Sequence, residues 1–404
     1  MSDPLIPVRI LDRLRQRLEL AFGGGAGEVL AVQAPGRTEL AGNHTDHEGG
    51  QVIAAAVNRH VYGLARPNRL GQIRLESEGY APVAIDCDDL GRRTSEEGTT
   101  AALVRGLAAA VGDAAGGARR GFDLVVVSEV PAGSGLSSSA AFELAVAQAM
   151  NLLWAGGAIR PLRLACLAQQ AENRYFGKPC GMMDQAAIAC GGIVRMDFND
   201  PRSPQVERLI CDFSHLGYTL CLVAVGADHA ANTSDYAAVP AEMQAVAREL
   251  GRTRLRDVDE DEVLGALPEL RCRLGDRAAL RALHYFREER LVERRVEALS
   301  AGDMDAFLAG ERLSGASSAM YLQNVSVPGA SGQPAMVALA VAQELLGGRG
   351  AARIHGGGFG GTIQAFVPSG EAEAFCRRMD AALGRPGAAA LYQIEREGAS
   401  AQWL

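Results

Sequence analysis

Stretches of apolar and polar residues change period several times along this chain, and each change marks an element. Leu5–Phe22 mixes charged and apolar positions and predicts an amphipathic surface helix; Val29–Gln33 predicts a short strand. Thr99–Val111 reads as a helix, Gly121–Val130 as an apolar strand and Ser139–Trp154 as a helix. A further helix is expected over Pro161–Tyr175, where proline at the first helical position gives up only an N–H that would lack a partner anyway. Strands follow at Ile193–Asp197 and Tyr218–Val225, separated by the turn residues Asp200, Pro201, Ser203 and Pro204. The second half carries expected helices at Val239–Leu250, Ala278–Leu299 and Met336–Leu346, with strands near Arg353 and at Thr362–Val367 and Tyr392–Arg396. The alternation lacks the steady rhythm of a doubly wound sheet, so the expected class is α+β.

A length of 404 residues exceeds what one core usually holds, and two domains are expected, residues 1–199 and 200–404. The formal charge of −8 leaves no basic footprint for nucleic acid, so an anionic ligand must be held by local donors. The eight cysteines form no Cys-x-x-Cys pair and no zinc-spaced cluster with histidine, which points to buried free thiols. The N-terminal stretch is charged and amphipathic rather than apolar, and no later apolar run is long enough to span a bilayer; a cytoplasmic protein with no membrane partner is expected.

Candidate chemistry gathers at Pro131–Ala141, PAGSGLSSSAA, between an expected strand and an expected helix. Gly133 and Gly135 allow tight turning and close approach of a ligand, and the following helix start offers unpaired N–H groups to an anion. Ser137, Ser138 and Ser139 add three hydroxyls that could orient phosphate or magnesium. A flexible linker would be longer and less tightly framed. The chain's only Gly-Lys pair, Gly177-Lys178, is followed by proline, which excludes a Walker loop, and Ser138 stands where a dinucleotide fingerprint needs its third glycine.

Three more segments join this loop. Ala34–Gly50 reads APGRTELAGNHTDHEGG, Gly177–Gly192 reads GKPCGMMDQAAIACGG, and Ala352–Gly361 reads ARIHGGGFGG. In content, order and spacing the four resemble the GHMP small-molecule kinases, and among them the galactokinase family, from about Val32 to Phe366. The resemblance implies two α+β domains, the second ferredoxin-like, with the active site in the cleft between them. It implies transfer of the γ-phosphate of ATP, with Mg2+, to the anomeric hydroxyl of galactose or a related sugar, by a chain expected to act as a monomer. By the same resemblance Asp184 accepts the hydroxyl proton beside Arg37. Asn43, His44, Asp46, Asp184 and Tyr236 contact the sugar; Gly133, Ser134, Gly135, Leu136, Ser137, Ser138 and Ser139 hold the phosphates; and Ser139 and Glu172 bind the metal. The third motif, from His355 to Gly361, is expected to pack against the phosphate loop or the substrate.

One departure bears on the substrate. The family pattern has asparagine where this chain has Glu39 and glutamate where it has Asn43. A glutamate at position 43 would accept from the sugar's C6 hydroxyl, whereas a neutral amide there would not repel a carboxylate. Galactose is the first expectation and a C6 variant such as galacturonate the second. A non-catalytic sugar and ATP sensor of the same fold is a third, although Arg37, Asp184 and the serine run are all retained. A homoserine or mevalonate kinase would share the loop but not His44 and Asp46.

Overall fold

The computed structural model describes residues 5–25, 27–131, 133–201, 203–226, 233–359 and 361–404. Helix α1 (Val8–Phe22) starts after Pro7 rather than at Leu5 and buries Ile10, Leu14 and Leu18, a four-residue repeat that makes one apolar stripe. Strand β1 is not the short segment expected but runs over Leu30–Ala41, carrying residues 34–41 of the first motif inside the sheet. Its Pro35 and Gly36 are accommodated by a register shift against β2 (Gln51–Pro67), which pairs with it antiparallel.

The chain continues through β3 (Gln72–Ser77), β4 (Val83–Asp86), α2 (Thr100–Ala114) and β5 (Phe122–Ser128) to α3 (Ser138–Ala155) and α4 (Pro161–Ala171). The helix expected up to Tyr175 ends its α-helical part at Ala171 and widens into a π turn at Glu172–Phe176. Next come α5 (Met183–Cys190), β6 (Ile193–Asp197), β7 (Gln205–Leu209) and β8 (Tyr218–Ala224). Helices α6 (Thr233–Glu249), α7 (Glu260–Gly265), α8 (Leu267–Leu274), α9 (Asp276–Ala301), α10 (Met304–Ser317) and α11 (Pro334–Leu346) follow. The chain closes with β9 (Ala351–Ile354), β10 (Thr362–Pro368), α12 (Ala372–Leu383), β11 (Ala389–Tyr392) and β12 (Ser400–Trp403).

Two sheets result. The larger has the order β12-β1-β2-β5-β3-β4, with β6 also on β2 and β7 on β6. Two strands beyond Asn199, β7 and β12, thus add to the sheet that the first half builds. The smaller sheet is antiparallel in the order β11-β8-β10-β9, a split β-α-β pattern. Among the described residues only β3 and β5 pair in parallel, so the fold is mixed α+β as expected.

A chain of buried charges ties the two halves at the site. Arg295 on α9 contacts Glu288 on the same helix and Glu311 on α10, and Glu311 accepts from Arg353 of β9 at 2.7 Å. Arg353 in turn donates to the Glu39 side chain at 3.2 Å and to its carbonyl at 3.0 Å. All five side chains are essentially fully buried. Removing one member leaves unpaired charge in the interior, so Glu311→Ala should lower the free energy of urea unfolding by about 3–5 kcal/mol. Glu371→Ala, which breaks an exposed pair with Arg349, should cost no more than about 1 kcal/mol; equal losses would contradict this account of the interior.

Candidate active site

Side chains on a strand alternate between its two faces, so Arg37 and Glu39 of β1 point one way and Thr38 the other. Arg37 and Glu39 line a cavity of about 220 Å³ together with His44, Asp46, Ser139, Glu172, Asp184 and Tyr236. Thr38 instead bonds His355 at 2.9 Å and accepts from Gln364 at 2.7 Å, tying the first motif to the third.

Asp184 lies in the first turn of α5, where free helix N–H groups favour a carboxylate. Its Oδ1 accepts from Arg37 Nε at 2.7 Å and its Oδ2 from Ser137 Oγ at 2.5 Å. Burial alone would push its carboxyl up. The Arg37 guanidinium, the hydrogen bonds from Arg37 and Ser137, and Lys178 together overcome burial and hold it below the ordinary aspartate value.

Ser137 adopts a left-handed φ of 57° at the N-cap of α3, a conformation that costs a non-glycine residue energy. With its hydroxyl on Asp184 it makes no capping bond, so of the three expected phosphate-facing hydroxyls this one is turned to the aspartate, while Ser139 faces the cavity. Gly133 and Gly135 have φ of 70° and 77°, open to glycine at little cost. A Cβ on Gly135 would stand 2.8 Å from His355 Nδ1, and the Ser134 carbonyl accepts from Thr362 at 3.0 Å, so the third motif does pack on the phosphate loop. Leu136 is fully buried and anchors that loop; its carbonyl accepts from the Arg37 N–H at 3.0 Å.

His44 also has a left-handed φ, 61°, and its Nε2 contacts the Gly357 carbonyl at 2.9 Å. Burial, then the neighbouring His47, lower its pKa to about 3, so the ring is neutral. A carbonyl can only accept, which assigns the proton to Nε2 and leaves Nδ1 an acceptor; it has no hydrogen bond among the described residues. The Tyr236 ring lies 5.2 Å from that of His44 and stays 44% exposed, placing it on the cavity rim. Asp46 opens a 3₁₀ turn, and a Cβ on Gly181 would stand 2.7 Å from its Oδ2, so a side chain at 181 would displace the carboxylate.

Glu172 accepts from Gln185 Nε2 at 2.8 Å and from Cys180 Sγ at 2.9 Å, with Lys178 Nζ at 3.4 Å. A hydroxyl and a carboxylate on one cavity wall, Ser139 and Glu172, are hard oxygen donors of the kind Mg2+ takes, with water and phosphate completing its shell. Glu143, one turn further along α3, shares Gln185 at 3.1 Å, and its Oε1 has no hydrogen bond among the described residues.

Asn43 departs from its expected place. Its Nδ2 donates to Glu39 at 3.2 Å and to the Gly356 carbonyl at 2.5 Å, and its Oδ1 accepts from Asn324 at 2.8 Å and Ser318 at 3.3 Å. Every hydrogen-bonding site of the amide is used by protein, and Asn43 does not line the cavity. The ground for expecting galacturonate, a neutral amide facing the sugar, is thereby removed. Glu39 faces the cavity instead. Burial raises its carboxyl above the ordinary glutamate value, against the opposing pull of Arg353 and Arg37. Lys178 and Gln185 also line the cavity without having been singled out. Their adjacency to Gly177 and Asp184 was the available signal, but nothing in a sequence pairs Gln185 with Glu143 across 42 positions.

Residues 102–192 match the family described as GHMP kinases N terminal domain, and residues 18–67 match the galactokinase galactose-binding signature. The chain is 32% identical to the galactokinase of Actinobacillus pleuropneumoniae serotype 5b over 89% of its own length and 90% of the relative's. It is 34% identical to that of Streptomyces coelicolor over 92% of both. The chain belongs to the galactokinase family. Its structure superposes on Lactococcus lactis galactokinase complexed with galactose with a TM-score of 0.82 and 25% identity, covering 97% of this chain and 99% of that one. A mevalonate kinase shares the GHMP fold at a TM-score of 0.64 and 14% identity. The enzyme is accordingly a phosphotransferase.

A Cβ on Gly357 would stand 2.2 Å from Tyr236 Cε2. Gly357→Ala should therefore push the tyrosine off His44 and, because misplacement of a positioning group by about 1 Å costs up to about 10²-fold, reduce kcat/KM for sugar by about 10- to 100-fold. The KM for ATP should stay within about twofold of wild type; an unchanged kcat/KM for sugar would show that the ring has no part in substrate positioning.

Proposed function

We propose that the enzyme transfers the γ-phosphate of ATP to the anomeric hydroxyl of galactose, giving galactose 1-phosphate and ADP, with Asp184 as the group that receives the hydroxyl proton. The observation that carries this reading is the Asp184 carboxylate, recessed in the cavity and held ionised by Arg37 and Ser137 beside the start of α3. One oxygen directed at a sugar hydroxyl would take its proton as the oxygen attacks phosphorus. Arg37, already against the carboxylate, would offset negative charge at the phosphoryl group in flight.

The phosphate chain of ATP fits over Gly133–Ser139, where the uncapped first turn of α3 presents N–H groups and Ser138 and Ser139 add hydroxyls. Mg2+ would be held by Ser139 and Glu172 and would neutralise phosphate charge when bound. Lys178, whose side chain is largely exposed at the cavity, supplies a further cation there. His44 would accept a sugar hydroxyl at Nδ1, Asp46 would accept from two adjacent hydroxyls, and Tyr236 would cover the ring. The unpaired thiols and the absence, among the described residues, of a helix long and apolar enough to cross a membrane support a cytoplasmic enzyme, and we read it as a monomer.

Asp184→Ala should reduce kcat for MgATP-dependent ADP release with galactose by about 10²- to 10⁴-fold. Loss of less than threefold would remove Asp184 from the chemistry. The pH dependence carries a sign. Asp184 is held below its ordinary value, so wild-type kcat/KM should persist as pH falls until that depressed value is reached. Arg37→Gln removes the principal opposing charge, lets burial prevail and should move the acid limb to higher pH; a limb that stays fixed would show that Arg37 does not set the Asp184 charge.

A further inference from the structure

Glu39 is one of four acidic side chains, with Asp46, Glu172 and Asp184, that face the cavity from different elements. Its Oε1 is fixed from behind by Arg353 at 3.2 Å and by Asn43 Nδ2 at 3.2 Å, while Oε2 takes no hydrogen bond among the described residues. A carboxylate clamped on one oxygen and bare on the other is a preorganised acceptor. The two carboxylates at the reacting end are engaged differently: Asp184 is bonded through both oxygens, and Glu172 by Cys180, Gln185 and Lys178.

Its place on β1 says what it would accept from. Arg37 and Glu39 lie two residues apart on one face of a strand, about 7 Å between Cα atoms at the strand's usual rise. Arg37 is bound to Asp184 at the reacting end, so Glu39 addresses the opposite end of a hexose-sized ligand. Because Asn43 touches Glu39 directly, the pair presents one carboxylate and one amide whichever position carries which. In this chain the carboxylate is the cavity-facing member and the amide is fully used in holding it.

We propose that Glu39 is the specificity-determining residue of this enzyme, accepting a hydrogen bond through Oε2 from a hydroxyl at the end of the sugar remote from the anomeric carbon and selecting a neutral sugar over one bearing a carboxylate there. This rests on the galactokinase reading. A uronic acid would set a second carboxylate against Glu39, and the site would have to take up a proton to hold it. Arg353, fully buried behind Glu39, positions the carboxylate and does not itself line the cavity.

The test measures kcat/KM for galactose, 4-deoxygalactose, 6-deoxygalactose and galacturonate with wild type and Glu39→Gln, alongside the KM for ATP. For wild type, deleting the hydroxyl that Glu39 reads should cost about 10- to 100-fold in one of the two deoxy sugars, the size of a lost hydrogen bond to a charged group. In Glu39→Gln the same deletion should cost less, about 2- to 10-fold, with the KM for ATP unchanged, since a neutral partner gives the weaker bond. Equal deletion penalties in the two proteins for both deoxy sugars would overturn the proposal. So would wild-type preference for galacturonate over galactose, a comparison that needs no variant and survives if Glu39→Gln fails to fold around Arg353. Absence of wild-type turnover on galactose would instead overturn the reading on which the proposal stands.

Discussion

The site depends on keeping one recessed carboxylate charged. A carboxylate withdrawn from water is costly unless it is paired and hydrogen-bonded, and Asp184 meets that requirement with partners from two distant segments, Arg37 on β1 and Ser137 before α3. The same guanidinium donates to the Gly135 carbonyl at 2.5 Å, and the Arg37 backbone N–H bonds the Leu136 carbonyl. A single residue thereby sets the distance between the strand that faces the sugar, the loop that faces the phosphates and the aspartate between them. The strained φ of Ser137 follows from this: its hydroxyl serves Asp184 at the expense of an ordinary helix cap.

At the other end of the cavity a second charge network does comparable work. Arg353 and Glu311 fix Glu39 from the second half of the chain, and the Asn43 amide links Glu39 to Gly356 of the third motif. Buried ion pairs contribute little net stability against well-packed apolar residues, so their presence here is better understood as orientation of a polar group than as reinforcement of the core. The glycines of the third motif have the complementary task of leaving room. Gly357 admits the Tyr236 ring, and on the phosphate side Gly135 admits His355.

Elements whose own period is strong were legible in the sequence: α3 and β6 lie within a residue of their expected bounds, and α9 within two. β2 was not, although it is the longest strand. It is buried on both faces over much of its length and so lacks the alternation that marks a strand. β1 was expected to end at Gln33, yet it runs on through Pro35 and Gly36, and only pairing with β2 shows how a register shift absorbs them. The chemistry was legible as four segments, since glycines, hydroxyls and the Asp184 region keep their local order. What their side chains face was less so. Asn43 and Glu39 are four residues apart and in direct contact, and which of them meets the cavity depends on Arg353, Asn324 and Ser318, all far along the chain.

The measurement that tests the central claim most directly is the position of the transferred phosphate, read by phosphorus and carbon NMR on the product formed from galactose and MgATP. The account predicts a single sugar monophosphate whose phosphorus couples to the anomeric carbon and its proton. Phosphate on any other oxygen of the sugar, or sugar bound in the presence of MgATP with no phosphorylated product, would contradict it.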